Sequence, residues 1–153
     1  MPHTITIREY KTEDEKDVIN LLRLNTPKYF AKEEEKDLRE YLNSKIEHYY
    51  VLLYQQKLVG SGGINYSKDR KTAFISWDII HPEYQNMSLG RQLMKHRIAK
   101  LNTVLTIKEI IVRTSQFAYK FYEKQGFKLN QIEIDYWAKG FHLYKMQHMR
   151  QMQ

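Results

Sequence analysis

The feature that most constrains this chain is how its hydrophobic periodicity changes along the sequence. Thr4-Ile5-Thr6-Ile7-Arg8 alternates with the period of a strand. Thr12 then opens a helical stretch with apolar Val18, Ile19, Leu21 and Leu22, broken at Pro27. Residues 32–48 carry Leu38, Tyr41, Leu42 and Ile46 at helical spacing and predict a second amphipathic helix. Tyr49–Tyr54 is β-rich, and Leu58–Tyr66 returns as its hairpin partner after Gln55-Gln56-Lys57. Thr72–Ile80 is a third, strongly apolar strand. The loop His81–Gly90 leads into a helix with Leu89, Leu93, Met94, Ile98 and Leu101 on one side. Lys108–Arg113 reads as a buried strand. Ser115 suits the N-cap of a helix ending at Gln125, and Gly126 suits the position just after it. Phe127–Tyr136 and Phe141–Met149 are the last two strands. The order β-α-α-β-β-β-α-β-α-β-β predicts an α/β fold, one mixed sheet with helices on its faces. No repeat, linker or low-complexity tract divides it, so residues 1–153 read as a single domain.

Composition narrows the function classes. No apolar run approaches the roughly 20 residues that span a bilayer, so no membrane role is expected. The start MPHTITIREY lacks an apolar signal core. The absence of cysteine removes disulfides, thiolate zinc sites and a Cys nucleophile. A cytoplasmic protein is the simplest expectation. The six histidines show no HExxH spacing, and His142 with His148 on one strand face is too little for a metal. Charge is uneven: residues 1–84 hold 13 basic and 14 acidic side chains, net −1, whereas residues 85–153 hold 12 and 4, net +8. A basic half suits a polyanion or a phosphate-rich cofactor, and also an ordinary Lys-rich surface.

Two segments carry chemistry. The first is Gln85-Asn86-Met87-Ser88-Leu89-Gly90 followed by Arg91, between an apolar strand and an amphipathic helix. A loop entering a helix leaves several N–H groups unpaired beside a partial positive charge, which suits phosphate. Gly90 would let backbone approach a pyrophosphate, and Arg91 adds a charged fork. The segment is neither a Walker A loop nor G-x-G-x-x-G. The second is Val112–Phe127, containing Ser115-Gln116-Phe117-Ala118-Tyr119-Lys120-Phe121-Tyr122-Glu123-Lys124-Gln125-Gly126-Phe127.

Together these segments resemble the two core motifs of the GNAT N-acetyltransferase superfamily, a [QR]-x-x-G-x-[GA] loop and an N-x-x-A-x-x-[LF]-Y-E-x-x-G-F helix. The likeness covers about residues 4–147 as a fold and is sharp over about 72–127, with Pro82 and the strand LVGSGGI (58–64) sharing it. It implies a GNAT fold of about seven strands and four helices, splayed between the fourth and fifth strands (72–80 and 107–113). The pantetheine of acetyl-CoA would lie in that gap like an added strand, bonded by backbone near Ile79 and Ile80. The turn 85–90 would hold the pyrophosphate, with Arg91 and Lys124 as phosphate partners. Ser88 stands where the family usually has Gly, which serves if the position needs no positive φ. Ser115 stands where many members have Asn contacting pantetheine, a contact that Gln116 could take over. No metal is implied.

The implied reaction is direct attack of a small-molecule or peptide amine on the thioester, expelling a CoA thiolate. Tyr122 occupies the place of the family's proton donor. The protein-acetylating branch often has Glu six residues before Ile80; here that place is Phe74. Asp78, inside the apolar run ISWDII, is a candidate base acting through water, or else a partnered structural carboxylate. The acceptor would meet two aromatic stretches, Asn25–Phe30 and Asp135–Phe141. Such stretches can cradle a substrate, but more often form a homodimer contact or a cap on the core. A non-catalytic acyl-CoA-binding domain of the same fold is the alternative. Nucleic-acid binding ranks last, with no RNP, KH-type or zinc-finger signature.

Overall fold

A computed structural model describes residues 4–149. The elements follow the expected order: β1 (Ile5–Glu9), α1 (Glu15–Leu24), α2 (Glu34–Ser44), β2 (His48–Tyr54), β3 (Lys57–Tyr66), β4 (Thr72–Ile80), α3 (Leu89–Leu101), β5 (Glu109–Thr114), α4 (Tyr119–Lys124), β6 (Lys128–Ala138) and β7 (Phe141–Met149). The seven strands form one sheet, ordered β1-β2-β3-β4-β5-β7-β6. All neighbours are antiparallel except β4 and β5. Helices cover both faces. Val18, Ile19 and Leu22 of α1 and Leu38 of α2 pack on Tyr49, Val51 and Ile79 of one face. Leu89, Leu93 and Leu101 of α3, with Tyr122 of α4, pack on Leu52, Val59, Ile75 and Val112 of the other.

Two helices are shorter than the periodicity predicts. The second stops at Ser44, because β2 already begins at His48; Ile46 still packs against that face. The last begins at Tyr119 rather than beside Ser115. Ser115 instead holds a turn, its hydroxyl accepting from Phe117 N–H at 3.2 Å and its carbonyl from Ala118 and Tyr119 N–H. Gly126 ends α4 at φ 97°, the left-handed conformation that glycine adopts freely.

Two irregularities build the site. The first is the splay: β4 and β5 pair only from Thr72↔Glu109 to Ile75↔Val112, although β4 runs on to Ile80. The backbone edge of residues 76–80 therefore faces a gap, as the resemblance implied. The second is a bulge where β3 meets β4, the register shifting between Ser61 and Gly63. At the bulge Trp77 has φ 50°, and its carbonyl accepts from the Tyr49 hydroxyl at 2.9 Å. A bulky L-residue at positive φ is strained by about 1–2 kcal/mol.

Candidate active site

The gap opens into a cleft of about 1010 Å³ running from the turn before α3 to the aromatic loop after α1. At one end lies the turn expected to hold phosphate. Met87 N–H reaches the Tyr84 carbonyl only at 3.4 Å, and Gln92 N–H bonds the Ser88 carbonyl at 3.1 Å. The N–H groups of Ser88, Leu89, Gly90 and Arg91 have no partner among the described residues. Leu89 is fully buried in the core and does not line the cleft. Gln85, Asn86, Ser88, Gly90 and Arg91 line the cleft; Met87 does not and is exposed. These donors at the positive end of a 13-residue helix, with Arg91 beside them, fit a diphosphate.

Three expectations at this end change. Ser88 sits at φ 60°, so the position does take the left-handed conformation, and Ser occupies it under strain. Gly90 adopts no positive φ. Its bare backbone lines the cleft and also serves packing, since a Cβ there would stand 3.3 Å from the Phe121 ring. Ser88→Gly is accordingly expected to stabilise the fold by about 1 kcal/mol, raising the melting temperature about 2–4 °C, as thermal unfolding would measure. Lys124 is exposed on α4 and does not line the cleft, whereas Gln125 does. Gln116 is committed elsewhere: its amide donates to the Gly140 carbonyl at 2.7 Å and accepts from His142 N–H at 2.9 Å, clamping the β6–β7 hairpin. Ser115 lines the cleft.

Along β4, Ile79 is buried, and the Ile80 carbonyl accepts from the side-chain amides of Asn25 at 3.1 Å and Gln85 at 3.4 Å. Asn25, 2% exposed, also donates to the Leu21 carbonyl at 2.8 Å and accepts from Gln85 at 3.3 Å. One buried amide thus ties α1, the end of β4 and the phosphate-facing turn together.

At the centre the two candidate catalytic residues meet. The Tyr122 hydroxyl donates to Asp78 Oδ2 at 2.5 Å. Asp78 Oδ1 lies 2.6 Å from Arg97 Nη2, an ion contact without the in-line geometry of a hydrogen bond. Arg97, fully buried on α3, also donates to the Gly63 carbonyl at 3.2 Å. A Cβ at Gly62 would stand 2.1 Å from Asp78 Oδ1, so only glycine leaves room for the carboxylate. Burial, and then the Asp78 charge, push the Tyr122 phenol well above its ordinary value. Asp78 thus has a hydrogen bond on Oδ2 and the Arg97 charge beside Oδ1.

The far end is aromatic. Trp77 stacks on Phe30 (centroids 6.4 Å, 18°) and tilts against Tyr41 (6.4 Å, 44°). Tyr29 meets Phe117 edge-on, and Phe117 meets Phe141. Glu34, 7% exposed, lines this end and accepts from Ala31 N–H at 2.7 Å. Burial pushes its carboxyl up to about 7. The folded state thus holds this proton more tightly than the unfolded chain, where it titrates near 4.5. The resulting stability is fully present below that value and is lost as pH rises through about 7. Glu34→Gln keeps an oxygen for Ala31 and removes the slope. It is expected to gain about 1–2 kcal/mol on the parent at pH 8 and nothing at pH 4, as urea unfolding at both pH values would measure.

The sequence profile described as "Acetyltransferase (GNAT) domain" matches residues 9–149. The chain belongs to the GNAT acetyltransferase family. Among curated proteins it is similar to an amino-acid acetyltransferase of Pasteurella multocida (strain Pm70), 29% identical over 133 residues; these cover 86% of this chain, and the chain spans 29% of that protein's length. Among solved structures, the ribosomal-protein-S18-alanine N-acetyltransferase of Escherichia coli superposes with a TM-score of 0.79 at 18% identity, over 98% of this chain and 96% of that one. N-acetylglutamate synthase from Neisseria gonorrhoeae, complexed with coenzyme A and N-acetylglutamate, superposes at 0.77 and 17% identity, over 97% of this chain and 36% of that one. These likenesses show the GNAT fold.

Within this GNAT domain, motif reading did not find Arg97, Gly62 or the cleft-facing placement of Trp77. A signal for Arg97 exists: it interrupts the apolar row Leu89, Leu93, Leu101 at a four-residue step, so the helix buries a cation that needs a counter-charge. Among the described residues no group of three or more His, Asp or Glu could hold a metal ion, and no helix is long and apolar enough to cross a membrane.

Proposed function

We propose that this GNAT domain is an acetyl-CoA-dependent N-acetyltransferase that moves the acetyl group to a primary amine by direct attack on the thioester. One observation carries the reading. The unpaired N–H groups of Ser88, Gly90 and Arg91 open into the same cleft as the Tyr122–Asp78 pair, joined by the stretch of β4 that β5 leaves unpaired. Acetyl-CoA supplies the activated acyl carbon. The N–H row and Arg91 hold the diphosphate, and the edge of residues 76–80 offers backbone groups to the amide-bearing arm. The acceptor ammonium first loses a proton to solvent, because only the neutral amine is nucleophilic; its nitrogen then bonds the acyl carbon as the C–S bond breaks, and its second proton balances the one that neutralises the departing thiolate. Tyr122 remains a protonated phenol at neutral pH and is the donor to the thiolate. Asp78, held by Arg97, positions the Tyr122 hydroxyl rather than serving as the base.

Thiol release from acetyl-CoA over a panel of amines and peptides tests the reading. Amine-dependent release is expected. Saturable CoA binding without release from any acceptor would favour the non-catalytic acyl-CoA-binding alternative.

A further inference from the structure

The walls of the far end constrain the acceptor. Resting on the acetyltransferase reading, we infer that the acceptor is a primary monoamine with an aromatic or bulky apolar body, its ring against Trp77 and Phe30 and its ammonium drawn by the aromatic faces and Glu34. The bulge gives Trp77 its strained φ, and its indole borders the cleft from the α1–α2 face of the sheet, while the Asp78–Tyr122 pair borders the same cleft from the α3–α4 face. Strain held at a site by its surroundings marks function. Here the surroundings are the Tyr49 hydroxyl on the Trp77 carbonyl and the stacked Phe30 ring. The loop bearing Phe30 is equally fixed, since Tyr29 and Phe30 N–H both bond the carbonyl of the buried Asn25. The aromatic platform is therefore built in advance, which lowers the cost of binding.

Charge separates the candidate amines. A polyamine needs several carboxylates, but the acidic residues lining the cleft are Glu34 and Asp78, and Asp78 is already paired with Arg97. An α-amino acid needs a cation for its carboxylate. Of the lining cations, Arg91 stands at the phosphate end; Lys45 lies 3.6 Å from Glu40; and Arg113 lies over the Tyr136 and Trp137 rings and donates to the Tyr136 hydroxyl. Glu34 spends Oε2 on Ala31 N–H, and Oε1 has no protein partner among the described residues. One ammonium and an apolar body fit this inventory.

The test compares 2-phenylethylamine, spermidine and L-glutamate as acceptors in the thiol-release assay, with calorimetric binding of each to the CoA-bound protein. For 2-phenylethylamine, kcat/KM is expected about tenfold or more above the other two. Trp77→Ala and Glu34→Gln are each expected to raise its KM about tenfold, with KM for acetyl-CoA changing less than about twofold. An unchanged CoA-induced melting shift verifies that each variant is folded. Preference for spermidine or L-glutamate, or an unchanged KM in both variants, overturns the inference while leaving the acetyltransferase reading intact. If no amine releases thiol, binding decides. Trp77-dependent binding of 2-phenylethylamine then upholds the preference of this end for an aromatic monoamine as ligand and counts against the catalytic reading; no binding of it overturns the inference.

Discussion

Replacing Arg97 with Met is expected to cost about 3–5 kcal/mol of stability, because it strands a buried carboxylate. Arg97 is fully buried, stands 2.6 Å from Asp78 Oδ1, and serves the Gly63 carbonyl as well. Asp78 has no room to turn away, with the Gly62 backbone against Oδ1 and the Tyr122 hydroxyl on Oδ2. A loss of this size is a large share of the 5–15 kcal/mol typical of a domain. Asp78→Asn alone strands the guanidinium instead and is expected to lose a similar amount. The double variant carries no unpaired charge and is expected to be more stable than either single change predicts by addition. Denaturant unfolding of all four proteins at pH 7 measures the coupling. Simple additivity would mean that the two charges do not act as a pair.

Tyr122→Phe is expected to lower kcat by about 10²–10⁴, the usual value of a placed proton donor, while KM for acetyl-CoA changes less than about twofold. The ring keeps its edge contacts with Phe121 (5.1 Å) and Phe127 (5.7 Å), so the core survives. The stability cost is confined to the lost hydrogen bond on Asp78, about 1–3 kcal/mol. Because burial and Asp78 hold the phenol well above its ordinary value, wild-type kcat should show no alkaline loss from this group below about pH 10. Full activity in Tyr122→Phe, measured by thiol release at saturating acetyl-CoA, would leave the residue a packing role alone.

Much of this was legible in residue order. The strand–turn–helix passage from Thr72 to Leu101, the hairpin through Gln55-Gln56-Lys57 and Gly126 after α4 follow from local periodicity and turn chemistry, and the structure keeps them. The splay came from family likeness, because period-2 patterning describes faces and is silent about which edge stays unpaired. The site's centre lay beyond both. Asp78 stands out in ISWDII, but its partner is 19 residues away on α3, and their meeting depends on a bulge at Gly62 that alternation does not encode. The same bulge aims Trp77, so a residue that reads as ordinary strand becomes a wall of the cleft. Ser115 and Gln116 misled for another reason. Ser115 is a good local cap and Gln116 read as a free amide for the pantetheine, yet Gln116 reaches the hairpin 24 residues on, a contact that only tertiary closure creates.

On the proposed reading, main-chain nitrogens at the start of α3 hold the diphosphate of acetyl-CoA. Amide chemical-shift titration of the uniformly ¹⁵N-labelled protein with CoA tests it most directly. The largest perturbations are predicted at Ser88, Leu89, Gly90 and Arg91, whose N–H groups have no protein partner among the described residues. Saturation with those four amides unmoved and the shifts centred elsewhere would contradict it.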